Sequence, residues 1–254
     1  MARQVRIEFE DAFYHITSKG EILLKIIGLI GGMSWESSLE YYRIINETVR
    51  NRLGGLHSAQ SLMYSVDFAE IESLQHQGHW QAATQIMIEA ARRVERGGAD
   101  FLVICTNTMH KMAEEVQKNI SIPILHIGDA TAERVKAQRL HRVGLLGTKF
   151  TMEEEFYKGR LIQKHGLQVI IPTPEDRSIV HRVIYDELVI GKINPTSRAH
   201  YQRIIEELVA QGCEGIVLGC TEIGLLVKEA DSRVPLFDTT QIHAIAAVEY
   251  ALAE

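Results

Sequence analysis

One short pattern occurs twice in this chain, and it limits the folds that the chain can adopt. In both copies a glycine and an acidic residue precede an apolar run, and a cysteine–threonine pair follows the run. The first copy covers residues 98–108 and the second covers residues 212–222. Each copy puts a nucleophilic or proton-carrying group where a buried strand gives way to a loop. The repeat predicts two similar half-molecules whose loops face one cleft, a geometry suited to proton transfer at carbon.

Strand-like and helix-like segments alternate along the whole chain. Short apolar or β-branched runs predict strands, and longer segments with apolar residues at helical spacing predict helices. The predicted strands are 25–30, 60–66, 100–104, 123–126, 142–146, 167–171, 215–218 and 235–237, and the predicted helices are 36–52, 80–96, 152–164, 177–190, 196–211 and 241–252. This order is typical of βα units built on a parallel sheet.

The two halves also share glycine-rich and proline-containing anchors in the same order, which indicates an internal duplication. The paired anchors are 28–31 with 144–147, and 122–124 with 234–236. The predicted fold is therefore α/β, with two pseudo-symmetric α/β lobes, a central and mainly parallel sheet in each, and an active-site cleft between them. We assign residues 25–128 and the C-terminal helix 238–254 to the first lobe, residues 129–237 to the second, and residues 1–24 to an appended segment.

Composition narrows the functional classes. A net charge of −6 argues against a general polyanion binder, so no nucleic-acid partner is expected. The three cysteines match no zinc or disulfide spacing, which predicts no metal site and favours a reducing, cytoplasmic compartment. The apolar stretch 22–30 is interrupted by Lys25 and is too short to cross a bilayer, so no membrane partner is expected either.

The alignment of the two repeats decides which first-half residue is equivalent to Cys220. Aligning the glycine and acid of each copy pairs Thr106 with Cys220 and Cys105 with Gly219. The alternative register aligns the two cysteine–threonine pairs and makes Cys105 the partner, but it loses the matching glycine. Because adjacent residues of a strand point to opposite faces, Cys105 and Thr106 cannot both face the cleft.

Three segments of the chain resemble motifs of the aspartate/glutamate racemases. They are 31–37 (Gly-Gly-Met-Ser-Trp-Glu-Ser), 107–110 (Asn-Thr-Met-His) and 219–223 (Gly-Cys-Thr-Glu-Ile), and the resemblance runs from about residue 25 to the C-terminus. It implies an amino-acid racemase that acts without pyridoxal phosphate or another cofactor, binds a small-molecule amino acid, and forms a homodimer. Many family members have cysteine directly before the Asn-Thr-x-His motif, whereas this chain has Thr106, as in a broad-specificity branch.

Racemisation needs a base on one face of the α-carbon and an acid on the other. Cys220 suits the first role, since a strand-to-helix turn is expected to lower the pKa of its thiol. Thr106 is a far weaker acid, although it can still donate a proton to a carbanion. The two enantiomers are therefore expected to be handled unequally, with Cys105 as the alternative first-half group.

The resemblance also implies a set of substrate-binding residues around the two loops. They are Gly32, Met33, Ser34, Asn107, Thr108, Thr148, Thr221 and Glu222. Backbone N–H groups among them would hold the substrate α-carboxylate. Selectivity for the substrate side chain is left open among His57, Gln60, Arg177 and Lys192.

Other functions remain compatible with the sequence. The wider superfamily includes hydantoin racemases, maleate isomerases and arylmalonate decarboxylases, and a two-lobed binding module without catalysis would share the same fold. Residues 1–21 resemble the start of IS200-like transposases, but the resemblance ends before the histidines and tyrosine that those enzymes need. We interpret this segment as an appended remnant or the product of a misassigned start codon.

Overall fold

The computed structural model of the protein describes residues 24–253 and contains two four-stranded parallel sheets. The first sheet has the order β2-β1-β3-β4, with β1 (Ile27–Gly31), β2 (Ser61–Ser65), β3 (Phe101–Ile104) and β4 (Ile124–Leu125). The second has the order β6-β5-β7-β8, with β5 (Arg142–Gly147), β6 (Gln168–Ile170), β7 (Gly215–Gly219) and β8 (Leu236–Asp238). The two sheets share one topology, which confirms the predicted α/β fold with two similar lobes.

Helices surround both sheets. They are α1 (Trp35–Leu53), α2 (Phe68–His76), α3 (Trp80–Arg96), α4 (Ala113–Gln117), α5 (Ile127–Ala137), α6 (Lys149–Glu153), α7 (Arg160–Gln163), α8 (Pro174–Asp186), α9 (Pro195–Ala210), α10 (Ile223–Leu226) and α11 (Thr239–Leu252). The β1, β3, β5 and β7 strands are buried almost throughout, as expected for parallel strands covered on both faces.

Strand pairing equates the two halves residue by residue. Gly28 pairs with Leu102 in the first sheet, and its counterpart Gly144 pairs with Ile216 in the second. The two acidic residues have the same structural role. Asp100 accepts the Ile26 N–H just before β1, and Glu214 accepts the His141 and Arg142 N–H groups at the start of β5. Continuing this register from β3 and β7 makes Thr106 equivalent to Cys220, in agreement with the alignment on glycine and acid.

The last helix of each half packs on the sheet of the other. Helix α5 follows β4 but contributes Ile127, Ala132 and Val135 to the core around β5 and β7. Helix α11 follows β8 but joins β1, β3 and α1 in a separate core. The exchange joins the two lobes through buried apolar contacts, which hold the loops at the ends of β3 and β7 opposite each other.

The predicted helix 152–164 is not continuous in the structure. Residues 152–164 form the end of α6, a π-helical turn (Glu155–Gly159) and α7, because Glu154 is extended. Because of this break, the Tyr157 ring packs in the core around β5 and β7, which we call the second core. Arg160 Nε lies 2.7 Å from Asp129 Oδ1 of α5. These long-range contacts override the helical spacing of the segment.

The other predicted helices and all eight predicted strands are confirmed to within a few residues, although 177–190 ends as α8 and a separate 3-10 turn (Leu188–Ile190). The resemblance of residues 1–21 to IS200-like transposases lies outside the described residues. Within residues 24–253, no helix combines the length and the apolar character needed to span a bilayer.

Candidate active site

A small cavity lies between the lobes, where the carboxyl ends of β3 and β7 face each other. Both lobes contribute to its lining, which comprises Met33, Phe68, Gln75, Thr106, Thr108, Thr148, Ile184, Tyr185, Val189, Cys220 and Glu222. Its volume is about 20 Å³, which is the room of roughly one water molecule. The cleft is therefore closed, and it must open before an amino acid can enter.

Thr106 and Cys105 have different surroundings, as strand alternation requires. Thr106 lines the cavity together with Cys220. Cys105 is completely buried on the other side, in the core formed by β1, β3, α1 and α11. Burial raises the pKa of the Cys105 thiol, and no charged group counters that effect. The structure thus brings Thr106, and not Cys105, to the residue that the repeat makes its equivalent.

The Cys220 thiol lies against a buried carboxylate. Cys220 Sγ donates to Glu222 Oε2 at 2.9 Å, and Thr221 Oγ1 donates to the same oxygen at 2.9 Å. The other oxygen, Glu222 Oε1, accepts a hydrogen bond from Ser34 Oγ at 2.8 Å. Glu222 is only 2% exposed, so water contributes little to the solvation of its carboxylate. The thiol and two hydroxyl groups thus donate to this carboxylate, and Glu222 also lines the cavity, so its contact with the substrate stays a prediction.

The expected lowering of the Cys220 pKa is wrong for this closed state. Burial raises the pKa of the Cys220 thiol well above its usual range, and the negative charge of Glu222 raises it further. The backbone N–H groups of Thr221 and Glu222 act in the opposite direction but are weaker. Helix α10, which follows the loop, has only four residues and adds little dipole. Cys220 is therefore a protonated thiol in the closed cleft, with a proton acceptor in contact.

The turn after β1 carries three of the predicted substrate-binding residues, but only one of them lines the cavity. Met33 lines it, whereas Ser34 caps α1 by accepting the Ser37 N–H. The Gly32 N–H donates to Ser38 Oγ at 2.8 Å. Because that N–H already has a partner, Gly32 offers no free donor to a substrate carboxylate.

Of the remaining predicted binding residues, Thr108 and Thr148 line the cavity, whereas Asn107 and Thr221 do not. Thr108 Oγ1 and Thr148 Oγ1 lie 3.0 Å apart, one from each lobe. Asn107 Nδ2 donates to Thr239 Oγ1 at 3.0 Å, while Asn107 Oδ1 is buried and has no hydrogen-bond partner among the described residues. Thr221 donates to Glu222. Asn107 Oδ1 is thus an available acceptor for a donor on a bound molecule.

His110 fixes the backbone of the first-half loop. Its Nδ1 atom lies 2.7 Å from the Thr106 carbonyl oxygen, and its Nε2 atom accepts the Ile127 N–H at 3.2 Å. These contacts select the neutral tautomer with hydrogen on Nδ1. Burial lowers the pKa of His110, and the neighbouring His126 and His243 lower it further. His110 is therefore neutral, and its Nδ1–H group donates to the Thr106 carbonyl oxygen, which fixes the backbone of this loop.

The four candidates for side-chain selectivity do not line the cavity. His57, Gln60 and Lys192 are exposed, and Arg177 is bonded to Glu153 at 2.6 Å. The polar wall is formed instead by Gln75 of α2 and Tyr185 of α8, whose hydroxyl donates to Gln75 Oε1 at 3.0 Å. Neither residue belongs to a recognisable motif, and only burial of a polar side chain in a helix distinguishes Gln75.

No cluster of three or more histidine, cysteine, aspartate or glutamate side chains occurs between residues 24 and 253 at distances suited to one ion. The residues around the cavity offer a thiol, hydroxyls, an amide and one carboxylate. This set can accept and donate protons on two sides of a bound molecule.

Comparison with known proteins agrees with this geometry. The chain is 55% identical to a Yersinia pestis protein described as a candidate Asp/Glu racemase, with a TM-score of 0.85 and coverage of 91% of this chain and 100% of the other. It is 34% identical to an aspartate racemase homologue from Pyrococcus horikoshii, with a TM-score of 0.78 over 90% of this chain and 99% of the other.

A more distant relative carries a different description. The chain is 25% identical to the broad-specificity amino-acid racemase RacX of Bacillus subtilis over 170 residues, which is 66% of this chain and 71% of RacX. The family model described as Asp/Glu/hydantoin racemase matches residues 30–247, a range that includes the loops after β3 and β7. The protein therefore belongs to the Asp/Glu/hydantoin racemase family.

Proposed function

We propose that this protein is a cofactor-independent amino-acid racemase that inverts the α-carbon by proton transfer between Thr106 and Cys220. One observation carries the proposal: equivalent positions of the two sheets supply these side chains to the same closed cavity. A planar carbanion held between them would have a proton donor or acceptor on each face. The family includes racemases of this kind, which supports the same reaction here.

Glu222 makes the Cys220 thiol usable as a base. In the first step the Glu222 carboxylate takes the proton of the thiol across the 2.9 Å contact. The thiolate then removes the hydrogen from the α-carbon, and the carbanion takes a proton from the Thr106 hydroxyl on its opposite face. After the product leaves, exchange with solvent returns a proton from Glu222 to Thr106. Every proton removed is thus replaced.

The two directions use the same path in reverse and differ in which group acts as the base. Cys220 has a carboxylate in contact, whereas no hydrogen-bond partner of the Thr106 hydroxyl occurs among residues 24–253. Abstraction by Thr106 would require an alkoxide, which is much harder to form than a thiolate. The equilibrium between enantiomers stays at unity, so a slow step in one direction limits turnover in the other at matched saturation. We expect a weak or selective racemase.

The substrate that we propose is aspartate, glutamate or a related polar amino acid. Its α-carboxylate would contact the hydroxyls of Thr108 and Thr148 and the backbone near Asn107 and Thr221, and its ammonium group would meet Asn107 Oδ1. The substrate side chain would face Gln75 and Tyr185. Because no lysine, arginine or histidine is among the described residues that line the closed cavity, uncharged polar amino acids belong in the substrate panel beside the acidic ones.

The decisive experiment measures exchange of the α-hydrogen in D2O together with formation of the opposite enantiomer. The wild-type protein should do both with at least one amino acid of the panel. Cys220→Ser should lower both rates by at least about 1,000-fold, since it removes the general base. Cys213→Ser is the matched control, because Cys213 lies in the second core away from the cavity lining.

The outcomes separate this function from the alternatives. Exchange with no amino acid, but turnover of a hydantoin, maleate or an arylmalonate, would assign the protein to another branch of the superfamily. Binding without any exchange, unaffected by Cys220→Ser, would indicate a binding module. Either result would overturn the racemase proposal.

We also propose a cytoplasmic homodimer with the lobe division expected from the sequence. Trp35, Leu39 and Tyr42 are exposed on α1 at spacings of four and three residues, so they form one apolar stripe. Symmetric dimers are the commonest oligomers and bury such stripes against themselves. The mass of the protein in solution, compared with that of Leu39→Glu, tests this assembly.

A further inference from the structure

A second cavity lies between α4 of the first lobe and α7 of the second. Its lining comes from α4, β4, α7 and the residue before α5, and comprises Ala113, Glu114, Gln117, Ile124, His126 and Arg160. The volume is about 290 Å³, close to the lower limit of about 300 Å³ for small-molecule pockets. None of these residues lines the cavity that contains Thr106 and Cys220, so this is a separate place in the fold.

The buried wall of this second cavity carries an imidazole N–H group without a partner. His126 is the N-cap of α5, and its Nδ1 atom accepts the Gly128 N–H at 3.1 Å. Because Nδ1 accepts, the hydrogen of the neutral ring is on Nε2. Burial, together with the positive charge of Arg160, lowers the pKa of His126 to about 3, so the ring is neutral near pH 7. The residue is only 8% exposed, and its Nε2 atom has no hydrogen-bond partner among the described residues.

Arg160 places a second free donor beside this imidazole. Its Nε and Nη2 atoms each lie 2.7 Å from an oxygen of Asp129, while Nη1 has no hydrogen-bond partner within residues 24–253. Lys164 donates to the same carboxylate at 2.7 Å, so two cations share one negative charge and positive charge remains at the cavity. Gly128 lets the two side chains approach, since a Cβ there would lie 3.3 Å from the His126 ring and 3.7 Å from Arg160 Cδ.

A carboxylate lies at the exposed side of the second cavity. Glu114 is exposed, and its charge reaches the guanidinium group: the hydrogen bond to Asp129 raises the pKa of Arg160, and Glu114 raises it further. Ala113 and Ile124 supply apolar surface beside these groups. The arrangement suits a molecule that carries both a carboxylate and an ammonium group. A doubly charged anion is disfavoured, because Glu114 would repel it.

We propose that this second cavity binds a small α-amino acid as its zwitterion. The carboxylate of the ligand would accept hydrogen bonds from His126 Nε2 and Arg160 Nη1, and hydrogen bonds to a charged acceptor are among the stronger ones. The ammonium group would face Glu114, and the side chain would contact the apolar wall. The proposal does not depend on the racemase function, because neither group proposed for proton transfer lines this cavity.

The test titrates the full-length protein with α-aminoisobutyrate and follows the backbone amide NMR signal of Gly128. This probe has both ionic groups and two methyl groups, and it has no α-hydrogen, so the protein cannot racemise it. The Gly128 N–H is bonded to His126, so its signal reports this site separately from the cleft. Acetate and inorganic phosphate are titrated in parallel, because each lacks the ammonium group. We expect a saturable shift with α-aminoisobutyrate and a much weaker response to the two anions.

Two substitutions remove one proposed contact each. His126→Asn keeps a good N-cap residue but lacks the Nε2–H, and we expect it to raise the Kd of the probe by about tenfold or more. Glu114→Gln removes the partner of the ammonium group and should raise the Kd by about three- to fivefold, as for an exposed ion pair. Glu115→Gln is the matched control, because it makes the same change in charge on α4 but does not line the cavity, and it should leave the Kd unchanged.

Three results would overturn the inference. The first is the absence of a saturable Gly128 shift with α-aminoisobutyrate. The second is an equal response to acetate or phosphate, which would identify a general anion site. The third is a Kd that Glu114→Gln and Glu115→Gln change equally, and this comparison decides the matter even if His126→Asn fails to fold. A protein that racemises no amino acid can still bind the probe here, so failure of the racemase proposal is recognised separately.

Discussion

The loops after β3 and β7 occupy equivalent positions in the fold but carry side chains of different chemistry. Thr106 is equivalent to Cys220, and in the same register Thr108 is equivalent to Glu222. The second-half loop therefore has a thiol and, in contact with it, a buried carboxylate. The first-half loop has two hydroxyls, and its backbone is held by the neutral His110. The two halves thus share a backbone register while their loops carry different side chains at equivalent positions.

This comparison shows that the acid/base strength of a loop depends on its neighbours as much as on its reactive atom. Burial raises the pKa of both the Cys220 and the Cys105 thiols, and the charge of Glu222 raises that of Cys220 further. Contact with Glu222 distinguishes the two cysteines. Substitutions of Glu222, Thr106 and Cys105 test this difference between the loops, and the largest effect is expected at Glu222.

Removing the acceptor from the second-half loop should make the loops alike. Glu222→Gln keeps the size of the side chain but takes up no proton, so we expect exchange and racemisation to fall by about 100-fold. Both rates are measured at saturating amino acid. Glu133→Gln, at an exposed position of α5, is the matched control because it makes the same change in charge. A Glu222→Gln protein with the wild-type rate would exclude Glu222 as the proton acceptor.

Adding a thiol to the first-half loop should narrow the contrast. Thr106→Cys gives that face of the substrate a much stronger acid, and we expect exchange of the enantiomer facing it to increase by about tenfold or more. The rates for the two enantiomers should be measured separately in D2O. Thr106→Ala, which removes the group, should lower inversion while Cys220 still exchanges its own enantiomer. Equal effects on both enantiomers would contradict the assignment of one group to each face.

The smallest effect is expected from the neighbouring cysteine. Cys105→Ala should leave both rates within about twofold, because Cys105 lies in the apolar core away from the cavity. Loss of the buried sulfur should reduce the free energy of unfolding by about 1 kcal/mol, as measured by urea denaturation. Abolished turnover in Cys105→Ala, with full activity in Thr106→Ala, would reverse the register of the two repeats.

Much of the fold could be predicted because the sequence pattern is local. The strands follow from short apolar runs, and the equivalence of Thr106 and Cys220 follows from Gly98 and Gly212, which adopt φ values of 96° and 90° at matching turns. Such positive φ values are reached readily by glycine alone, so these positions align reliably. The orientation of Thr106 then follows from the alternation of side chains along β3.

The site depends on contacts that no local pattern encodes. Gln75 and Tyr185 are separated by 110 residues, and they meet only because two helices from different lobes cover the cleft. Glu222 stands two residues after Cys220 in the sequence, but its carboxylate also bonds to Ser34 of the other lobe, 188 residues away. The sign of the Cys220 pKa shift depends on burial, which was underestimated from the turn alone.

The exchange of α5 and α11 has a consequence for the order in which the chain can be assembled. All elements that build the second core lie between Ile127 and Phe237, so they leave the ribosome as one continuous stretch. The core formed by β1, β3, α1 and α11 instead joins Ile27, Tyr41 and Phe101 to Ala244, Ala247 and Ala251. Its apolar surface stays uncovered until synthesis is nearly complete, so the half that is made first is the half that is finished last.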